Sequence, residues 1–175
     1  MEPVYLRALE IDDLERVHKW HNDIEMWDLL TSPFRYVSRA SEEEWLRKKQ
    51  SYSNEEVNLA ICLTGNSEHI GNIYLREISW IARHGHMSGI LIGDPVHRSK
   101  GYGTSALRRL IEHAFGDLGL RRLYTYVLDE NKPSARMMEK CGFVVEGKLR
   151  KHAFKAGKFK DVVVMGVCAE DVPSK

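Results

Sequence analysis

The sequence predicts a single α/β domain of the mixed α+β kind, with a central, mostly antiparallel sheet of six to seven strands flanked by about four helices. Three observations carry that prediction. Residues 57–93 hold three strand-like runs joined by short turns, which suits an antiparallel meander. Residues 101–142 then run helix, strand, helix, and with the last meander strand they form a βαβα half. The chain closes on two alternating runs around "KAGK", a hairpin pattern. With 175 residues and a hydrophobic fraction of 43%, the chain suits one core, and no linker, repeat or low-complexity stretch divides residues 1–175.

Each element has its local reason. "VYLRAL" (4–9) alternates like a short strand, and "IDDLERVHKWHND" places Leu14, Val17 and Trp20 on one helical stripe behind acidic first-turn residues. Residues 28–40 mix Pro, Ser and Thr with aromatics, an irregular connection where substrate selection is expected. Ser41 and Glu44 have capping-box spacing ahead of "EEEWLRKKQ". "VNLAICL", "HIGNIYLREISW" and "HMSGILIG" (86–93) are the meander strands. A helix follows from about Gly101 to Leu118, stopped near Gly119, and then the strand "RRLYTYVL". The short helix "KPSARMMEKCG" has Pro133 in its first turn and Gly142 at its end. "FVVEGKLRKHAF" and "FKDVVVMGV" make the hairpin, with Gly157 free to take positive φ.

Composition removes several function classes. Twenty-six Lys and Arg face twenty-five Asp and Glu, so bulk charge calls for neither nucleic acid nor an anionic membrane as partner. Cys62, Cys141 and Cys168 are odd in number and widely spaced, fitting neither a disulfide framework nor a metal pattern. They read as reduced thiols, and no metal is expected. The opening "MEPVYLRALE" lacks a basic region followed by an apolar stretch, and no apolar run approaches the roughly 18 residues of a membrane span. A cytoplasmic protein is the expectation.

The chemistry centres on "HRSKGYGTSA" (97–106). A helix N-terminus offers unpaired N–H groups and about half a positive charge, a seat for phosphate. Gly101 and Gly103 remove side chains that would keep a phosphate away, and Arg98 and Lys100 add charge. Gly101, Gly103 and Ala106 also match GxGxxA, with Asp129 and Glu130 after the next strand, as in a dinucleotide-binding oxidoreductase domain. That reading fits worse, because "DPVHRSK" separates the strand from Gly101 and the unit lies mid-chain after a meander. A P-loop fails for want of Gly-Lys-Ser/Thr.

Arg98-x-x-Gly101-x-Gly103 after the apolar strand "GILIGDP" resembles the pyrophosphate loop of the GNAT superfamily of acyl-CoA-dependent N-acetyltransferases. "ENKPSARMMEKCGF" resembles that family's second signature, an Asn before a short helix and a Gly-Phe pair. "EGKLRKHAFKAGKFKDVVVMGV" is similar to the closing hairpin of the subgroup of ribosomal-protein N-terminal, polyamine and amino-sugar acetyltransferases.

The resemblance implies acetyl-CoA as co-substrate, with its pyrophosphate on backbone donors of Arg98, Ser99, Lys100, Gly101, Tyr102, Gly103 and Thr104. The pantetheine arm would lie along Ile90, Leu91 and Ile92 and meet Asn131. The acceptor would be a primary amine, either a small molecule or a peptide, and a homodimer is the default assembly. Many members place a Tyr general acid on the short helix, and that position here is Met138, whose thioether cannot donate a proton. Glu77 and His86 are the candidate bases. Asp28 of the acidic stretch "NDIEMWD" and Tyr36 are the candidate substrate-binding residues. A non-catalytic acyl-CoA sensor is the alternative of a different class. In the last hairpin Lys148, Arg150, Lys151, Lys155, Lys158 and Lys160 form a basic cluster, read as exposed charge protecting an edge strand.

Overall fold

Strand β1 (Val4–Ala8) forms one edge of a seven-stranded sheet in the order β1-β2-β3-β4-β5-β7-β6, in a computed structural model that describes residues 3–172. β2 (Val57–Leu63), β3 (His69–Ser79) and β4 (His84–Ile92) form the expected antiparallel meander. β5 (Arg122–Leu128) lies parallel to β4, because a crossover through a helix returns the chain in the same direction. β7 (Lys158–Cys168) pairs antiparallel with β5, and β6 (Val144–Lys155) forms the other edge.

Five helices flank the sheet. α1 (Leu14–His21) follows a short 3-10 turn and buries Leu14, Val17 and Trp20, the expected stripe. α2 (Ile24–Trp27) is one turn that sequence periodicity is too short to reveal; Asp23 caps it, accepting from the amides of Glu25 and Met26. α3 (Arg39–Gln50) begins earlier than the Ser41–Glu44 spacing predicts. The Ser38 hydroxyl, not that of Ser41, caps the helix by accepting from the Ser41 amide. α4 (Tyr102–Glu112) continues through a π turn to Asp117, and α5 (Lys132–Glu139) follows β5.

The two larger of three buried clusters lie on opposite faces. On one, Leu107, Leu110 and Ile111 of α4 pack with Ile73, Leu75, Met87 and Leu123 of the sheet. On the other, Leu14 and Leu46 pack over Ala60, Cys62 and Tyr74. Each fully buried Leu contributes on the order of 2 kcal/mol of transfer free energy. A polar knot ties α1 to the sheet. Both Arg7 guanidinium nitrogens donate to Asp13, at 2.8 and 2.7 Å, and His69 Nδ1 lies 2.9 Å from the same carboxylate. At the end of β4 only glycine fits, because a Cβ on Gly93 would lie 1.9 Å from the Trp20 indole.

Three side chains of the hairpin's basic cluster are engaged. Lys148 pairs with Asp129 and Asp161, and Lys160 with Glu130. Lys155 is buried, and its ammonium donates to the carbonyls of Trp27 and Ser32, both at 2.6 Å.

Candidate active site

The site begins where the sheet opens. β4 and β5 pair only at His84–Arg122, Gly85–Leu123 and His86–Tyr124, and beyond that point they run on without pairing. β4 also carries a bulge: Met87 faces Leu75 but Gly89 faces Tyr74, so Ser88 is an extra residue. The bulge changes the phase of the strand. Met87 points into the α4 core, and beyond the bulge Ile90 and Ile92, rather than Leu91, pack toward that core. The divergence leaves a cleft of about 800 Å³, lined by β4 residues Met87 to Ile92, by Tyr126 and Val127 of β5, and by both flanking loops.

At one end lies the glycine loop. Gly101 is the N-cap of α4 with φ of 84°, a conformation in which a Cβ is strained, and Ser99 also has positive φ. The first intrahelical bond runs from the Ser105 amide to the Gly101 carbonyl at 3.0 Å, so the preceding amides open the helix toward the cleft. Arg98, Ser99, Gly101, Gly103 and Thr104 line it. Lys100 is exposed, and Tyr102 packs against the core and near His97. The Arg98 guanidinium donates to the carbonyls of Ile92 and Gly93, at 3.1 and 2.8 Å, fastening the loop to the end of β4. Gly103 serves close packing of α5, since a Cβ there would lie 2.9 Å from Met137 Sδ.

Asn131 caps α5 by accepting from the Ser134 amide at 3.2 Å and donates to the Leu29 carbonyl at 2.9 Å. It therefore joins the α5 start to the connection after α2 at the cleft wall. Met138 lines the cleft and is 2% exposed. Burial pushes the Cys141 thiol up, and its sulfur faces the Thr104 carbonyl.

Glu77 and His86 come together but lie outside the cleft lining. Glu77 sits at positive φ in an irregular stretch of β3, accepts from the Tyr124 hydroxyl at 2.9 Å, and lies 3.4 Å from His86 Nδ1. That hydroxyl bond holds the Glu77 carboxyl below its ordinary range. His86 stacks flat on Tyr124, and burial pushes its pKa down despite Glu77. Burial first, then the Glu77 bond, pushes the Tyr124 phenol up to about 12. Tyr126, edge-on to His86, does reach the cleft. Asp28 and Tyr36 are not in the lining either; Tyr36 is 87% exposed, edge-on to Phe34.

Apart from Trp27, the end opposite the glycine loop is built by residues that sequence reading did not single out. His21, Trp27, Trp45, Tyr74 and Arg76 line it. His21 Nδ1 is 2.9 Å from both oxygens of Glu42, which is 1% exposed behind the wall. The His21 ring meets Trp27 and Trp45 edge-on at 5.9 and 5.1 Å. No local motif marks these residues, because they converge from α1, α2, α3 and β3. Among the described residues no group of His, Cys, Asp and Glu is placed to hold a metal, and no helix is long and apolar enough to cross a membrane.

Comparison with known proteins agrees with this geometry. Residues 4–144 match the family model for the acetyltransferase (GNAT) domain. The chain is 30% identical over 160 residues to a spermidine N(1)-acetyltransferase of Vibrio cholerae, covering 90% of this chain and 88% of that protein. It is 27% identical to the probable N-acetyltransferase YjcK of Bacillus subtilis, covering 96% and 95%. A crystal structure of the spermidine N-acetyltransferase from Vibrio cholerae in complex with CoA and spermine superimposes with a TM-score of 0.89 at 29% identity, covering 98% of each chain. With its opened sheet, glycine-capped α4 and family match over most of its length, the chain belongs to the GNAT family and is an acetyl-CoA-dependent N-acetyltransferase.

Proposed function

We propose that the cleft binds acetyl-CoA along β4 and transfers its acetyl group to a small-molecule primary amine by direct attack. The observation that carries this reading is the continuous cleft from the α4 amides, past the β4 bulge, to the aromatic wall of Trp27, Trp45 and Tyr74. The pyrophosphate belongs on the amides of Gly101 to Thr104, where the helix field favours an anion. Arg136 of α5 and Lys140 just after it line the same cleft and add positive charge to the coenzyme half. The pantetheine arm follows Ile90 to Ile92.

The thioester then lies at the bulge, where a strand amide that has lost its ladder partner can donate to the developing oxyanion. Attack forms the nitrogen–carbon bond, and collapse breaks the carbon–sulfur bond, releasing coenzyme A. The attacking amine must first lose a proton. In its neutral form, with Nδ1 donating to Glu42, His21 keeps its Nε2 lone pair available. It lines the acceptor end, whereas Glu77 and His86 lie outside the lining. His21 is therefore the proton acceptor in this reading, reached through solvent. The thiolate leaves without a Tyr donor, because Met138 occupies that place; positioned acid catalysis is typically worth 10²- to 10⁴-fold, so turnover is slower, not absent.

Met138 is also the observation that favours a coenzyme-binding sensor as the second reading. Release of coenzyme A thiol on mixing with acetyl-CoA and a panel of primary amines decides. Turnover with any amine supports the transferase, and coenzyme binding with no turnover across the panel supports the sensor.

A further inference from the structure

The charge of the cleft points to a class of acceptor. Among the described residues that line it, the formally charged side chains are Arg76, Arg98, Arg136 and Lys140, and none is Asp or Glu. Arg98 is committed to the β4 carbonyls, and Arg136 and Lys140 flank the coenzyme loop. Arg76 alone stands at the acceptor end, with its guanidinium 5.1 Å from the centre of the Tyr74 ring.

Its hydrogen bonding is incomplete. Arg76 Nε is buried without a hydrogen-bond partner; its nearest carboxylate, Glu56, is 3.7 Å away and is already held by Lys49 at 2.7 Å. The Ser88 hydroxyl at the bulge is also buried without a partner. The Tyr74 hydroxyl is buried without a well-formed bond, beside Asn72. An Arg offers only donors, so the group that completes this end accepts hydrogen bonds, and an anionic acceptor does so most strongly. A buried donor left unmet is costly, which makes an empty arrangement poor as mere packing.

We propose that the acceptor is a small amine that also carries a carboxylate, with Arg76 as the anchor of that carboxylate; the inference rests on the transferase reading above. The amine of such a zwitterion faces the His21–Glu42 pair while its carboxylate meets Arg76 across the Tyr74 ring. Glu77 and His86, the other titratable groups near Arg76, are engaged with Tyr124 and with each other. A polyamine is donor-only and multiply cationic. It leaves Arg76 Nε unmet and adds like charge beside it, so a carboxylate-bearing amine suits this cleft better than spermidine does.

The experiment compares kcat/KM of the protein for amino acids, their carboxamides, amino phosphates and spermidine, with Arg76→Met beside it. Amino acids are expected to exceed their own carboxamides by about 30-fold or more in the wild type, and the ratio to collapse toward one in Arg76→Met, with coenzyme A affinity unchanged. A preference for amino phosphates over amino acids, turnover of spermidine above every amino acid, or a ratio untouched by Arg76→Met would each overturn the proposal. If no amine is acetylated, the transferase reading fails. The same panel is then titrated calorimetrically into the coenzyme A complex, where Arg76-dependent amino-acid binding upholds the anchor and its absence overturns it.

Discussion

The Lys155 ammonium donates to the Ser32 carbonyl at 2.6 Å across 123 residues of chain, and to the Trp27 carbonyl at the same distance. A lysine of the last hairpin thereby fixes the loop that walls the acceptor end. Lys155→Met would leave two carbonyls without their charged donor, at a cost of about 2 kcal/mol or more. The expected result is a thermal midpoint lower by about 5 °C and an amine KM raised several-fold, with little change in coenzyme affinity. Thermal unfolding and steady-state kinetics measure both.

Substitution at Gly101 tests the coenzyme loop without disturbing the core. A Cβ there meets nothing within 4 Å, so the penalty comes from φ of 84° alone. Gly101→Val should redirect the opening amides of α4 and weaken coenzyme A binding about 10-fold or more, since a β-branched residue is strained in that region by about 1–3 kcal/mol. Calorimetric titration reads the affinity, and an unchanged value would remove the loop from the coenzyme site.

Met138→Tyr returns a proton donor to the wall of the cleft. Met138 is 2% exposed in the core, so the larger ring should cost about 1–3 kcal/mol of stability through overpacking. Turnover should nevertheless rise by about 10-fold or more with the cognate amine, because the leaving thiolate gains a positioned acid. Single-turnover kinetics separate this gain from coenzyme binding, which should stay unchanged.

Stability should fall at acid pH through Asp13. Burial alone would raise its pKa, but the Arg7 pair, His69 and the Glu10 amide outweigh burial and hold the carboxyl well below its ordinary value of 3.8. A depressed native pKa means that the unfolded chain takes up the proton first. The stabilisation is therefore complete above about pH 4 and is lost as pH falls below it. Asp13→Asn should flatten that acid limb and lower stability at pH 7 by about 3 kcal/mol, as breaking a buried pair does. Urea unfolding at pH 3 to 7 measures the slope.

Much of the scaffold was legible because its signals are local. The 3.6-residue stripe of Leu14, Val17 and Trp20, the alternation of the meander, and Gly101, Pro133 and Gly157 at their turns all act within a few residues. The missed α2 and the displaced start of α3 show the limit of such signals. A one-turn helix has too few residues for periodicity, and two serines three apart compete for the same cap until Ser38 wins it.

The candidate site was legible at the coenzyme end and opaque at the acceptor end for one physical reason. Pyrophosphate is expected to be held by consecutive main-chain amides, so its seat is written as a continuous motif from Arg98 to Thr104. The acceptor wall is made of side chains that meet only when the sheet forms: His21 from α1, Glu42 behind it from α3, Arg76 from β3, and the loop pinned by Lys155 from β6. The sequence by itself determined the fold class and the helix-opening loop, and it carries Met138 where the family resemblance expects a tyrosine. Only the tertiary structure decided that Glu77 bonds to Tyr124 and His86 outside the lining, and that Arg76, with an unmet Nε, lines the cleft beside Tyr74. Long-range packing and burial set those relationships, and no spacing along the chain encodes them.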